Sequence, residues 1–273
     1  MIKYPYYKYK IHDSAIKKKS PLILALDLDY FNDILFQKSY DLIAEIGDYI
    51  CGIKINFHLL LSLSRKEILS LNNFAKEKNI SVIADIKLND IGNTNNITIN
   101  KLGDLNFDAV IVNPFIGISE TKSLIEYAHA KDFGVLTLLY MSHPGAMDGY
   151  GLKIVSDSNS SNHKSNEKEI IPLYRILYNY GKSCSADGFI IGGTRTEIIK
   201  EISSLGSKIP IYSPGLITQG GDITSVINSG ADYLIIGRYI INSSSPVKTT
   251  RNLLDKIRDC KGFQYKKISS LSI

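Results

Sequence analysis

The amino-acid sequence predicts an α/β protein built as a single-domain (β/α)8 TIM barrel. Eight short runs rich in apolar and β-branched residues recur along the 273 residues. Amphipathic stretches, each long enough for roughly two to four helical turns, separate them. Apolar strands that alternate with helices are typical of a parallel sheet covered by helices, and eight such units in a chain of this size predict a closed barrel. An open, doubly wound parallel sheet is the alternative that the same alternation allows.

The elements follow one another in regular order. Each predicted strand is a short aliphatic or β-branched run, and each predicted helix repeats its apolar residues with a period near 3.6. The predicted strands cover residues 22–27, 49–55, 80–86, 109–113, 134–140, 188–191, 209–213 and 233–236. The clearest helical stretches cover residues 33–46, 65–78, 119–131, 170–180 and 195–204.

Three segments fall outside this alternation. An insertion near residues 150–169 separates the fifth strand from its helix, and its polar run at 156–166 is expected to be a flexible, solvated loop. Residues 1–20 form a basic and aromatic N-terminal extension, which we expect to be a partly ordered surface arm. The barrel is expected to span residues 21–262, and residues 263–273 form a C-terminal tail.

Composition bounds the class of protein. An apolar share of 44% with 22% charged residues is ordinary for a soluble globular chain and excludes wholesale disorder. The three cysteines lie far apart and lack the spacing of a zinc or redox site, so we expect reduced thiols and no metal. No apolar run approaches the roughly 18 residues of a membrane span, and no secretion signal is evident, so a cytoplasmic location is expected. The net charge of +5 is compatible with an anionic partner.

Charged residues at predicted strand ends indicate a site, because barrels of this kind carry catalytic groups there. Lys54 ends the second strand, Asp85 and Lys87 end the third, and Asp90 follows. The period-two spacing of Asp85 and Lys87 places both side chains on one face. Since buried charges are costly unless paired, we expect Lys54, Asp85, Lys87 and Asp90 to form one mutually neutralising network at the barrel mouth.

The last two strands are followed by residues suited to an anion. Glycines let backbone amides approach a phosphate, a helix N-terminus adds favourable partial charge, and arginine offers a forked pair of donors. Barrels commonly hold phosphate in the loops after strands seven and eight. The sequence therefore predicts a phosphate site there, formed by Pro214, Gly215, Gln219, Gly220, Gly221, Gly237 and Arg238.

Taken together, these residues resemble the orotidine 5'-phosphate decarboxylase family. The stretch DIKLNDIGNT at residues 85–94 is similar to the family signature Asp-x-Lys-x-x-Asp-Ile-x-x-Thr, and further matches fall in family order at 25–27, 52–54, 141–146, 213–222 and 237–238. The pattern most resembles the compact archaeal-type enzymes. Gly92 stands where a proline is common in that family, and the segment after Gly149 is longer than the family pattern.

The resemblance implies decarboxylation of orotidine 5'-phosphate to UMP in de novo pyrimidine synthesis, without metal or organic cofactor. It implies that Lys87 donates the proton to C6, that Asp85 lies near the substrate carboxylate and that Asp90 completes the charge network. It further implies a homodimer with shared active sites. The remaining implied contacts are Asp27 and Lys54 with the ribose hydroxyls, Ser142 with the pyrimidine amide, Gln219 and Arg238 with the phosphate, and Asp90, Ile91 and Thr94 with the neighbouring subunit's substrate.

Other functions stay open on the sequence alone. A sugar-phosphate decarboxylase or aldolase of the same barrel group keeps the Asp-x-Lys-x-x-Asp motif but holds Mg²⁺ partly through a carboxylate at the end of the second strand, where this chain has Lys54. A catalytically silent, nucleotide-sensing barrel would not need the full charged set. RNA binding by the N-terminal arm would need more than the run Lys17-Lys18-Lys19. We therefore expect a small-molecule substrate, with neither nucleic acid nor membrane as a partner.

Overall fold

The computed structural model of the chain describes residues 7–28, 34–156 and 169–260. Its strands are β1 (Leu22–Leu26), β2 (Gly52–Asn56), β3 (Ser81–Leu88), β4 (Ala109–Val112), β5 (Gly134–Tyr140), β6 (Lys153–Ser156), β7 (Glu169–Pro172), β8 (Gly188–Ile191), β9 (Ile211–Ser213) and β10 (Tyr233–Ile236). Its α-helices are α1 (Tyr7–Lys18), α2 (Leu35–Ile46), α3 (Phe57–Ser62), α4 (Arg65–Glu77), α5 (Gly92–Asp104), α6 (Ile118–His129), α7 (Leu173–Ser183), α8 (Thr196–Ser204), α9 (Ile223–Asn228), α10 (Arg238–Ile241) and α11 (Pro246–Arg258).

The barrel prediction is confirmed. Eight parallel strands close in the order β1-β10-β9-β8-β5-β4-β3-β2. The strands β1, β4, β5, β8 and β10 are buried along their whole length, as expected for strands whose outer face is covered by helices. The closed barrel rules out the open doubly wound sheet, and it brings the C-terminal ends of all eight strands to one mouth.

Similar side-chain-to-backbone hydrogen bonds join neighbouring barrel strands at their N-terminal ends. Asp108, Asp187 and Asp232 stand immediately before β4, β8 and β10. Each carboxylate accepts one backbone N–H from the first or second residue of the preceding barrel strand, at 2.8–2.9 Å; the donors are Val82, Val135 and Ile211. At the equivalent place before β2, the Cys51 thiol donates to the carbonyl of Leu22 at 3.3 Å. These contacts join the strands in the pairs β1/β2, β3/β4, β5/β8 and β9/β10.

The N-terminal end of the barrel is closed by α1, which corrects the expected surface arm over the described residues 7–18. Tyr7, Ile11 and Ala15 are fully buried. Tyr7 lies so close to Gly134 that a Cβ there would stand 2.2 Å from the Tyr7 Cβ. The Ser14 hydroxyl donates to the carbonyls of Cys51 and Asn79 at 2.7 and 2.6 Å. Aromatic and aliphatic residues of the extension thus contribute to the core, and residues 1–6 lie outside the described part.

The insertion begins and ends as a hairpin, which corrects the predicted helix 170–180 at its start. β6 pairs antiparallel with β7, with Val155 opposite Ile170 and Ser156 opposite Glu169. Pro172 ends the strand and caps α7, because it has no N–H to continue the ladder and its fixed φ suits a helix start. The flexible loop predicted at 156–166 is wrong at Ser156, which ends β6, and its other residues lie outside the described residues, as does the tail 263–273.

The other boundaries differ by a few residues. The prediction matches β5, β8 and β10 residue for residue, whereas β3 runs two residues beyond its predicted end, to Leu88. β2 begins later than predicted and continues past Lys54 to Asn56, so Lys54 lies within the strand. Across the described ranges, no helix combines the length and apolarity that a membrane crossing requires.

Candidate active site

A cavity of about 210 Å³ opens at the C-terminal ends of the barrel strands. Charged and hydrogen-bonding side chains line its rim, and aliphatic side chains from the barrel interior form its floor. Ten of the residues predicted for the site line it: Asp27, Lys54, Asp85, Lys87, Ser142, Pro214, Gly215, Gln219, Gly237 and Arg238. The sequence pattern therefore located the cavity correctly.

Four charged side chains form a line of alternating sign across one side of this cavity. The Lys54 ammonium donates to Asp85 Oδ2 at 2.8 Å and stands 3.6 Å from Asp27 Oδ1. The Lys87 ammonium donates to Asp85 Oδ1 at 2.7 Å. Both oxygens of one carboxylate thus hold two cations, and the order is Asp27, Lys54, Asp85, Lys87. The network carries no net charge before a substrate enters.

Burial and charge act in opposite directions on Asp85. Its side chain is 8% exposed, and this burial by itself raises the pKa of the carboxyl. The adjacent ammonium groups of Lys54 and Lys87 and their hydrogen bonds outweigh it, so the pKa lies below its usual range. Asp85 is therefore an anion at neutral pH. Lys87, with 41% of its side chain exposed, is the more exposed of the two cations in the line and lines the cavity.

The backbone at Lys87 is unusual for a residue with a side chain. Its φ is +44°, in the left-handed region, and the β3/β4 register shifts between Ala84 and Leu88. Such a conformation costs on the order of 1 kcal/mol or more and persists only where surrounding contacts impose it. The two ladder contacts that flank the irregularity and the Asp85 carboxylate hold Lys87 with its ammonium over the cavity.

On the opposite side, the loop after β9 meets the loop after β5. The Ser142 hydroxyl donates to Gln219 Oε1 at 2.6 Å. Gly215 has a φ of +82°, and a Cβ there would stand 2.6 Å from the Ser142 Cβ, so only glycine fits between these loops. Arg238 and Gly237 follow β10, the strand between β1 and β9, so they stand on the cavity wall between Asp27 and the loop after β9. Gln219 and Arg238 carry side-chain donors, as an anion site requires.

The network differs from the prediction at Asp90. Asp90 is exposed on the loop after β3, and one of its carboxylate oxygens accepts the backbone N–H of Ile91 at 2.8 Å. It forms no ion pair with Lys54 or Lys87 within the described part of this chain. Asp27 extends the alternating line at its other end, next to Lys54, and the end at Lys87 has no second carboxylate from the described part of this chain. The network predicted from the strand-end charges is therefore wrong for Asp90 within one chain, whereas the position across a dimer that the resemblance implies stays a prediction.

Four further predicted residues lie outside the cavity lining. Ile91 and Thr94 are exposed near the start of α5, beside Asp90. Gly220 and Gly221 belong to the loop after β9, where the N–H of Gly221 donates to the carbonyl of Gly215 at 3.2 Å. These two glycines therefore support the loop that carries Gln219 and do not line the cavity themselves.

The cavity also contains residues that were not among the predicted site residues. The side-chain oxygen of Asn56 accepts a hydrogen bond from the Lys54 ammonium, so Asn56 joins the charged line. Met141, His143 and Thr218 lie on the cavity wall, and Ile111, Leu138, Ile190 and Ile235 contribute to its floor. The period-two spacing of Lys54 and Asn56 in β2 is the signal that could have found Asn56.

Comparison with known proteins places this geometry in a family. The sequence model of the family described as "Orotidine 5'-phosphate decarboxylase / HUMPS family" matches residues 20–253. The chain belongs to this family. Within it, the orotidine 5'-phosphate decarboxylase of Pyrococcus abyssi is 30% identical over 238 residues, which cover 87% of this chain and 99% of the relative.

Solved structures agree with that membership in the orotidine 5'-phosphate decarboxylase / HUMPS family. The decarboxylase of Methanocaldococcus jannaschii, solved with the inhibitor BMP, matches with a TM-score of 0.70 at 26% identity, over 86% of this chain and 96% of that one. A Toxoplasma gondii structure described as a putative orotidine-monophosphate decarboxylase gives a TM-score of 0.81 at 16% identity, over 97% and 98% of the two chains. The latter likeness concerns the fold alone.

Proposed function

We propose that this chain decarboxylates orotidine 5'-phosphate to UMP in the cavity at the barrel mouth, as a carboxy-lyase. The observation that carries the proposal is the alternating line Asp27, Lys54, Asp85 and Lys87, which shares one cavity with the hydrogen-bond donors of Gln219 and Arg238. The charged line suits a reaction that develops negative charge on carbon, and the donors suit a phosphate. Membership of the family and the decarboxylases among its relatives support the same reaction.

The reaction replaces a carboxylate by a proton. The bond between C6 and the carboxyl carbon breaks, CO₂ leaves, and the electron pair remains on C6, where no adjacent carbonyl delocalises it fully. The site must therefore stabilise this charge electrostatically and then protonate the carbon. A cation that also carries a transferable proton can do both at one place.

Lys87 is the group we assign to both tasks. Its ammonium is held at 2.7 Å by the ionised Asp85 carboxylate, which fixes its position at the cavity. As charge develops on C6 the ammonium stabilises it, and proton transfer to C6 completes UMP. The neutral Lys87 amine then regains a proton from water. Asp85, placed beside the departing carboxylate, would repel it in the ground state, and this repulsion would disappear as CO₂ leaves.

The rest of the cavity orients the substrate. We assign the ribose hydroxyls to Asp27 and Lys54, the pyrimidine amide to Ser142, and the phosphate to Gln219 and Arg238 with the backbone amides beside Gly215 and Gly237. The phosphate does not react, so its binding energy serves to fix the base against Lys87. No metal or organic cofactor takes part in this scheme.

The exposed loop after β3 belongs to a second site in this proposal. Asp90, Ile91 and Thr94 lie outside their own chain's cavity, at the barrel rim. We propose a homodimer in which these residues complete the partner's cavity, where Asp90 adds the second carboxylate beside Lys87. Each site would then be built from two chains related by a two-fold axis. A cytoplasmic location and the lack of a nucleic-acid partner remain expectations.

The alternative within the same barrel group is a metal-dependent sugar-phosphate decarboxylase or aldolase. That chemistry needs a carboxylate at the end of the second strand to hold Mg²⁺. Here the position is Lys54, whose ammonium is committed to Asp85 and Asn56. A cation in that place repels a divalent metal, so the charged line favours the metal-independent reaction.

The test is a spectrophotometric assay that follows the loss of orotidine 5'-phosphate. We expect turnover by the purified chain, unchanged by EDTA and absent from Lys87→Ala. Loss of activity on chelation, with recovery on adding Mg²⁺, would favour the metal-dependent alternative. Binding of UMP without turnover of orotidine 5'-phosphate would instead identify a nucleotide-sensing barrel.

A further inference from the structure

Glu120 in α6 forms a hydrogen bond with the first residue of α5, the helix that follows the loop after β3. Its carboxylate, in the first turn of α6, accepts the backbone N–H of Gly92 at 3.0 Å. Gly92 is the first residue of α5, whose opening N–H groups have no partner inside the helix. A carboxylate at this end satisfies one of them and is favoured by the helix dipole. The contact joins residues 28 positions apart in sequence.

The glycine is what makes this contact possible. Gly92 has a φ of +47°, and nothing lies within 4 Å of where its Cβ would stand. Proline, which is common at this position in the family that the sequence resembles, has no N–H and fixes φ near −65°. It could neither donate to Glu120 nor adopt this backbone. Gly92 therefore allows a hydrogen bond to a neighbouring helix that a proline at this position could not make.

The segment held in this way carries Asp90. The buried side chain of Asn95 donates to the carbonyl of Asp90, and the Asp90 carboxylate accepts the N–H of Ile91. With the Glu120 contact, the short run from Asp90 to Gly92 is fixed on both sides although it is exposed. A loop that served only as a connection would not need contacts of this kind at three successive residues.

We propose that Glu120 is a positioning residue for the partner's active site: its hydrogen bond to Gly92 holds Asp90, Ile91 and Thr94 in the orientation from which they reach across the dimer. This inference rests on the proposed function and on the shared site. Glu120 touches no substrate; it acts through the loop. Its loss should therefore damage the site of the neighbouring chain and leave the site of its own chain intact.

The experiment separates these two sites. We expect Glu120→Ala to lower kcat/KM about tenfold, in line with the loss of a hydrogen bond to a charged group. Glu120→Gln, which keeps an acceptor, should recover most of the activity. Lys122→Ala, two residues along the same helix and remote from Gly92, is the matched control and should leave kcat/KM unchanged.

Mixing chains gives the decisive readout. With subunit exchange and excess Lys87→Ala, each Glu120→Ala chain pairs with a chain whose Glu120 and loop are intact. Its own Lys87 then works with a properly held loop. We expect activity per Glu120→Ala chain to rise about tenfold, to the wild-type value per site. Activity that stays low after verified exchange would show that Glu120 acts within its own chain, and would overturn the proposal.

A measurement without substrate distinguishes failure of this inference from failure of the proposed function. Amide hydrogen exchange, followed on a peptide that covers residues 89–94, should be faster in Glu120→Ala than in the wild type and unchanged in Lys122→Ala. Equal exchange in wild type and Glu120→Ala would refute the contact itself. A wild-type chain that does not turn over orotidine 5'-phosphate would refute the function instead, whatever the exchange shows.

Discussion

Lys87 illustrates how far single residues can be interpreted from sequence. The period-two spacing from Asp85 predicts that both side chains share a face, and the 2.7 Å contact between them confirms it. The backbone between the two residues is not that of a regular strand, because Lys87 adopts a left-handed conformation at a register shift. Pattern predicts which side chains meet, but local backbone geometry depends on neighbouring strands that the pattern does not contain.

Arg238 and Lys87 should separate binding from chemistry. Arg238→Ala should raise KM by one to two orders of magnitude, on the order of the loss of a charge-assisted contact, because its assigned partner is the unreacting phosphate. kcat can fall as well, since phosphate binding also orients the base. Lys87→Ala should abolish turnover while UMP still binds. Steady-state kinetics and UMP titration measure both; an unchanged kcat/KM in Arg238→Ala would refute the phosphate assignment.

Asp85 should make stability depend on pH in a defined direction. Its pKa is lower in the folded chain than in the unfolded chain, so its contribution is complete above the unfolded pKa of about 3.9 and is lost as the pH falls through the folded value. Asp85→Asn leaves two ammonium groups without their shared anion and should cost about 3 kcal/mol at pH 7.

Urea unfolding of wild type and Asp85→Asn at several pH values tests this. The difference in unfolding free energy should shrink below about pH 4. Asp13→Asn, an exposed partner of Lys17 in an i,i+4 pair, serves as the control and should change stability little at any pH. A difference of constant size from pH 7 to pH 3 would contradict the charge argument.

At the scale of elements, α1 is the part that sequence reasoning undervalued. The lysines of the extension and its position before the first strand predict a surface arm. Its residues Tyr7, Ile11 and Ala15, however, follow a helical spacing and are buried. The hairpin shows the same limit. Val155 and Ile170 form a two-stranded ladder across an insertion, and such a pairing between distant residues leaves little trace in local periodicity.

Tyr7 should matter more for stability than for catalysis. Tyr7→Ala removes a fully buried ring at the N-terminal end of the barrel and should lower the unfolding free energy by about 3–5 kcal/mol. Ile16→Ala, at an exposed position of the same helix, should change it little. Tyr7→Phe should not destabilise, because the buried Tyr7 hydroxyl has no partner among the described residues. A strongly destabilised Tyr7→Phe would contradict this account of the cluster.

The hairpin loop should be dispensable. Ser156 and Glu169 are directly opposed, so a two-residue Asn-Gly turn in place of residues 157–168 would close the ladder. We expect kcat/KM within about twofold of the wild type, because the replaced run is polar and is interpreted as a solvated loop. A folded variant that loses most of its kcat/KM would identify the segment as part of the site, and circular dichroism would establish that it is folded.

At the scale of the whole molecule, the barrel and its cavity could be predicted from the alternation of elements and from the charged strand ends. The single-chain network that the strand-end charges predicted, with Asp90 beside Lys87, is not found in the described part of the chain. Charges at strand ends predict side chains near one mouth, but the direction in which the loop after β3 turns depends on packing that the pattern does not contain. The sequence did predict a carboxylate just beyond the end of β3, and the structure places it outside the lining of its own chain's cavity.

A shared site predicts recovery of activity from two inactive proteins. Lys87→Ala and Asp90→Ala homodimers should both be nearly inactive. After subunit exchange, each heterodimer has one site with both defects and one with neither, so about a quarter of all sites should regain wild-type composition if pairing is random. Activity measured before and after exchange provides the test. Mixing Lys87→Ala with Lys54→Ala, two residues of the same cavity, is the matched control and should recover nothing.

The strand pairs joined at their N-terminal ends have a consequence for chain entropy. Each pair, from β1/β2 to β9/β10, closes a loop of moderate length and is fixed locally by Asp108, Asp187, Asp232 or Cys51. The join between β1 and β10 closes a loop of nearly the whole barrel and carries the largest entropic cost. Until it forms, both strands present unpaired backbone edges. The cooperativity of the barrel therefore depends on Leu22–Leu26 meeting Tyr233–Ile236.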